Sequence, residues 1–94
     1  MAIKSFRDKG TEKLFEEGVC PAEWRSFQRA AERKLDMLDS ADALTDLRSP
    51  PGNRLEALRG ARRGQYSIRI NDQYRLCFRW VEDGPEDVEI VDYH

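Results

Sequence analysis

The sequence predicts an α+β fold: a short N-terminal strand and two helices, all packed on one face of an antiparallel sheet. Three observations lead there. The apolar residues Trp24, Phe27, Ala31, Leu35 and Leu38 recur at steps of three and four, the period of a helix face. From residue 66 the period becomes two: Tyr66, Ile68 and Ile70 alternate with Ser67 and Arg69, then Tyr74, Leu76, Phe78 and Trp80 with Arg75, Cys77 and Arg79. The chain has 94 residues, 39% hydrophobic and 36% charged, which fits one globular domain over 1–94 rather than a disordered segment.

The elements follow in order. Ile3-Lys4-Ser5-Phe6 reads as the short first strand. A helix over about 9–17 buries Leu14 and Phe15, and Gly18 stops it. Pro21 suits the first turn of a longer helix over about 21–40, whose wet face carries Arg25, Arg29, Glu32, Arg33 and Asp36. Leu44 and Leu47 add a helical turn before the break at Ser49-Pro50-Pro51-Gly52. A strand over 54–58 leads into an arginine-rich loop over 60–64. The hairpin turns at Asn71-Asp72-Gln73, a further turn spans 82–86, and the last strand covers 88–93. With both helices on the apolar face, the reverse face presents Arg69, Arg75 and Arg79 as a platform for an RNA backbone.

The net charge of −2 hides two blocks. Between residues 54 and 79, seven arginines face only Glu56 and Asp72, a net of +5. Between 80 and 94 there are six acids and no lysine or arginine, a net of −6. The basic block is all arginine, whose planar fork matches phosphate oxygens. Cys20 and Cys77 lack metal-ligand spacing and read as reduced thiols of a cytoplasmic protein. No stretch approaches the apolar length of a membrane span, so no membrane partner is expected. No cofactor motif and no metal-ligand cluster are visible, so neither is expected.

The chain ends on Asp92-Tyr93-His94, a carboxylate, a phenol and the sole histidine, all able to transfer protons. Asp92 and His94 share strand parity, and Tyr93 points the other way. Arg75 sits mid-strand on the cationic face, where it either stabilises a phosphate or pairs with a neighbouring carboxylate. Glu56 is acidic inside the basic block, and is either a general base or an ion-pair partner. Arg54, Arg59, Arg62, Arg63, Arg69 and Arg79 are candidates for contact with RNA, against the alternative of solvated turns and edges.

Four segments carry a resemblance to a known family: Ile3-Lys4-Ser5-Phe6, Asn53-Arg54-Leu55-Glu56-Ala57-Leu58-Arg59-Gly60, Gly64 through Leu76, and Asp92-Tyr93-His94. Across essentially the whole chain the sequence resembles HigB-type toxins of the RelE/ParE toxin–antitoxin superfamily. The resemblance implies a compact RelE-like fold and a ribosome-dependent, metal-independent endoribonuclease that cuts mRNA in the A site by 2′-OH attack. It places Arg75 on the family's phosphate-stabilising arginine, Arg59 near a basic residue that contacts RNA, and Asp92, Tyr93 and His94 on its functional tail. Glu56 stands where characterised members can carry a histidine, and the low net charge is a second departure. The resemblance also implies a cognate helix-turn-helix antitoxin (HigA-like), through which alone the complex would touch operator DNA.

The leading expectation is therefore an mRNA interferase with catalytic residues Arg75, Asp92, Tyr93, His94 and Glu56, whose partners are the ribosome, mRNA and the antitoxin. The rival readings are a non-enzymatic ParE-like gyrase inhibitor, and a degenerate toxin acting only as an antitoxin-bound co-repressor. The proton-transfer groups of the tail speak against the former; Glu56 keeps the latter open.

Overall fold

In a computed structural model, which describes residues 3–82 and 84–93, helix α1 spans Lys9–Glu17 and helix α2 spans Gln28–Ser40. Four antiparallel strands follow as a meander in the order β1-β2-β3-β4: Glu56–Ala57, Tyr66–Arg69, Tyr74–Val81 and Gly84–Asp92.

Helix α1 has the expected bounds because both ends are capped. The Asp8 carboxylate accepts from the Thr11 N–H at 3.0 Å, and Gly18 takes the left-handed conformation at φ 72°. The Gly18 and Val19 N–H groups then donate to the Leu14 and Lys13 carbonyls and close the last turn. The second helix departs from the expected continuous 21–40. Residues Ala22–Phe27 wind as a 3₁₀ helix, and α2 begins only at Gln28. Three residues per turn bring positions three apart onto one line, so Trp24 and Phe27 both reach the core. Trp24 is buried and the Phe27 ring meets that of Tyr74 at 4.5 Å.

The core lies between the helices and one sheet face, as the alternation predicts. Ala31, Leu35, Leu38, Leu76 and Phe78 are all fully buried. Two strands are shorter than expected. The first makes only one parallel bridge, Phe6 to Val88, flanked by hydrogen bonds from Lys4 N–H to the Pro85 carbonyl and from Arg7 N–H to the Val88 carbonyl. The cause is a bulge in β4. The register with β3 shifts between Cys77 and Arg79, and Asp87 adopts φ 53°, so no regular ladder can extend outward. The strand expected over 54–58 is limited to Glu56–Ala57, because Arg54 is left-handed at φ 47°. The last strand is longer than expected: Glu82 takes φ 48° and Gly84 already pairs with Val81.

The reverse face is not an open arginine platform. At its centre Ser67 and Cys77 are fully buried. Side chains of the basic block fold down over them and find acids on β4.

Candidate active site

Glu56, Ala57, Leu58, Arg59 and Tyr93 line a groove of about 560 Å³. An adjoining hollow of about 470 Å³ shares Ala57, Leu58 and Arg59 and adds Gly60 and Arg63. The walls thus come from β1, the loop after it and the residue after β4. Arg75, on the intervening β3, stands beside Glu56 and Tyr93. Its Nη2 is 3.8 Å from Glu56 Oε1, and its guanidinium carbon is 5.8 Å from the centre of the Tyr93 ring.

Arg75 is held firmly. Its Nε–H donates to Ser67 Oγ at 2.7 Å and its Nη2 to the Arg54 carbonyl at 2.7 Å. The side chain is 11% exposed, against 54% for Glu56. A cation fixed on a strand beside an accessible carboxylate and an exposed phenol can meet an anionic group and exchange a proton with it.

The other arginines of the basic block divide in two. Arg62 donates to Glu89 at 2.8 Å and to Gln65 at 3.0 Å, and the Glu89 hydrogen bond pushes its pKa above the ordinary arginine value. Arg69 pairs with Asp72. Arg79 Nε lies 3.8 Å from Asp87, with the guanidinium against Gly64, where an added Cβ would come within 2.8 Å of Nη1. Gly64 also has φ 92°, so this contact requires glycine. Arg54, Arg59 and Arg63 have exposed side chains and no ion pair among the described residues.

The tail residues part company. Asp92 pairs in register with Tyr74, which packs on Phe27, so its carboxylate belongs to the helix side. There Gln73 Nε2 donates to it at 3.0 Å. Tyr93, anchored by its N–H on the Gln73 carbonyl at 2.8 Å, turns to the reverse face and is 43% exposed. His94 lies outside the described residues. Sequence reasoning missed Ser67 and Gln73. The one available signal for Ser67 was its parity with Arg69 and Arg75: a small hydroxyl among arginines on one face.

Cys77 lies under this layer. Burial pushes its thiol up to about 11, with Arg62 and Arg75 opposing and Glu89 adding to the rise. The folded state therefore resists ionisation that the unfolded chain permits from roughly pH 8.5. This contribution to stability is complete below that pH and is lost as pH rises toward 11. Thermal melts should show a larger fall in Tm between pH 8 and pH 10.5 for the natural chain than for Cys77→Ala. Equal falls would remove Cys77 as the cause.

Among the described residues, no three His, Cys, Asp or Glu side chains gather where they could hold a metal ion. Nor is any described helix long and apolar enough to cross a membrane.

Comparison with known proteins agrees with this geometry. The profile of a family described as the RelE-like toxin of type II toxin–antitoxin system HigB matches residues 4–94. Toxin HigB-1 of Vibrio cholerae serotype O1 is 47% identical over 86 residues, covering 87% of this chain and 86% of that protein. Endoribonuclease HigB of Proteus vulgaris is 29% identical over 92 residues, covering 98% and 99%. Among solved structures, a YoeB/ParE toxin from Agrobacterium tumefaciens aligns over 100% of both chains with a TM-score of 0.57 at 19% identity, a likeness of fold. A fold of this kind, with a family match over nearly the full length, leaves one conclusion: the chain belongs to the HigB-like family of RelE-type toxins of type II toxin–antitoxin systems, and an antitoxin is the partner that membership implies.

Proposed function

We propose that this toxin is an endoribonuclease that enters the ribosomal A site and cuts mRNA there without a metal. The observation that carries the reading is Arg75, fixed beside Glu56 and Tyr93 at a groove lined by Arg59, which has no ion pair among the described residues. The name of the Proteus vulgaris relative supports the reaction class. In the proposed step the 2′-oxygen bonds to the adjacent phosphorus and the bond to the 5′-oxygen breaks. A 2′,3′-cyclic phosphate and a 5′-hydroxyl result. Glu56 takes the 2′-OH proton. Arg75 meets the negative charge that grows on the non-bridging oxygens. Tyr93 stacks on a base. His94 returns a proton to the leaving oxygen, and Asp92, on the other face, anchors the tail through Gln73. Arg54, Arg59 and Arg63 follow the backbone on either side of the cut, with Arg62, Arg69 and Arg79 behind them. The cognate antitoxin carries a helix-turn-helix domain and brings the complex to operator DNA.

The test maps mRNA 5′ ends after induction, with translation running and with it blocked. New ends should appear only in translated messages. With purified ribosomes held at a magnesium level that keeps them assembled, chelators selective for zinc and other transition metals should leave the rate unchanged. Ends that persist without translation would remove ribosome dependence. A rate restored only by added metal would remove the metal-free mechanism.

A further inference from the structure

We propose that Ser67 is a positioning residue for Arg75 and decides which edge of its guanidinium faces the substrate; the inference rests on the reading of Arg75 as the group that meets the phosphate. Ser67 lies within β2 on the reverse face, opposite Cys77, and is fully buried. A buried hydroxyl in a strand contributes little to packing, and serine is a weak strand former. Its evident task is the bond its oxygen accepts from Arg75 Nε.

The second anchor comes from another element. The Arg54 carbonyl accepts from Nη2 because the Arg54 backbone is left-handed, at φ 47° and ψ 57°. A residue with a Cβ adopts that conformation only when its surroundings impose it. The preceding Asn53 is firmly anchored. Asn53 is fully buried, donates to the Leu47 and Ser49 carbonyls at 3.1 and 3.3 Å, and accepts from Lys34. The Nε and Nη2 edge of Arg75 is therefore taken up by the protein. Nη1 makes no hydrogen bond to a described residue; three N–H groups remain, two on Nη1 and one on Nη2, and the Nη1–Nη2 end is the edge left to bind oxygens. An arginine otherwise has many rotamers; one whose edge is pinned at two points needs no reorganisation as charge develops.

The experiment measures single-turnover mRNA cleavage on programmed ribosomes by the intact toxin. Loss of a hydrogen bond to a charged group predicts that Ser67→Ala slows cleavage by roughly 10- to 100-fold. Ribosome affinity and antitoxin binding should stay near those of the natural chain, and Ser67→Thr, which keeps the hydroxyl, should restore most of the rate. In an Arg75→Ala background, Ser67→Ala should cause no further loss, because both changes remove one interaction. If Arg75→Ala is inactive while Ser67→Ala cleaves normally, the positioning role falls and the assigned role of Arg75 stands. If Ser67→Ala slows cleavage equally with and without Arg75, its effect is general and the proposal falls. If Arg75→Ala itself cleaves normally, the parent reading fails and takes the inference with it. Should Ser67→Ala fold poorly, as read by antitoxin binding, Ser67→Cys fills the site with a slightly larger group but weakens the acceptor, and the same outcomes decide.

Discussion

Arg75→Ala is expected to lower the single-turnover cleavage rate about a hundredfold or more, the usual consequence of removing a preorganised electrostatic donor. The loss should appear in the chemical step rather than in ribosome affinity, because a group that strengthens its hold only in the transition state leaves ground-state binding nearly unchanged. Arg75→Lys keeps a charge but cannot reach Ser67 and Arg54 with one planar edge while offering another, so it should recover only part of the rate. Antitoxin binding serves as the control for folding, since truncation also strips the buried Ser67 hydroxyl of its partner. An Arg75→Ala protein that cleaves at the natural rate would take Arg75 out of the mechanism. Glu56 and the tail would then have to account for the chemistry.

The largest effect on stability is expected at Phe78. It is fully buried on β3, between the helices and the sheet, and its ring lies 6.3 Å from that of Tyr66. Phe78→Ala should cost about 3–5 kcal/mol, the lost transfer energy of the ring plus the cavity left in a packed core. For a domain of this size that is a large share of a total stability of roughly 5–15 kcal/mol. Urea unfolding followed by tryptophan fluorescence measures it. A shift below about 1 kcal/mol would place Phe78 outside the core.

Much of this architecture is legible in the residues. Helix α1 is bounded by Asp8 and Gly18, which act within a few residues of the ends they cap, so local chemistry sufficed. The sheet faces follow from alternation alone, and so does the separation of Tyr93 from Asp92. What escaped depends on partners far along the chain. Arg62 meets Glu89 across 27 positions, and no local pattern announces that pair. The continuous second helix failed because a three-residue step puts Trp24 and Phe27 on one face in either kind of helix, so the spacing does not reveal that residues 22–27 wind as 3₁₀. The first strand failed because a bulge on β4, not the sequence of residues 3–6, decides whether it can pair. The grouping of Glu56, Arg59, Arg75 and Tyr93 was foreseeable from parity and family likeness. The cradle that holds Arg75 was not, since one anchor is a backbone carbonyl that carries no side-chain signature.

The internal pairing of Arg62, Arg69 and Arg79 bears on how the protein meets a polyanion in solution. From beyond a Debye length a nucleic acid senses the net charge of −2 and is weakly repelled. Only on close approach does it find Arg59 and Arg63, which have no ion pair among the described residues and line adjoining hollows. Attraction is therefore local to patches, of which this groove is one and the exposed Arg25, Arg29 and Arg33 are another. The way such a protein lands on a polyanion is set by these patches rather than by its overall charge.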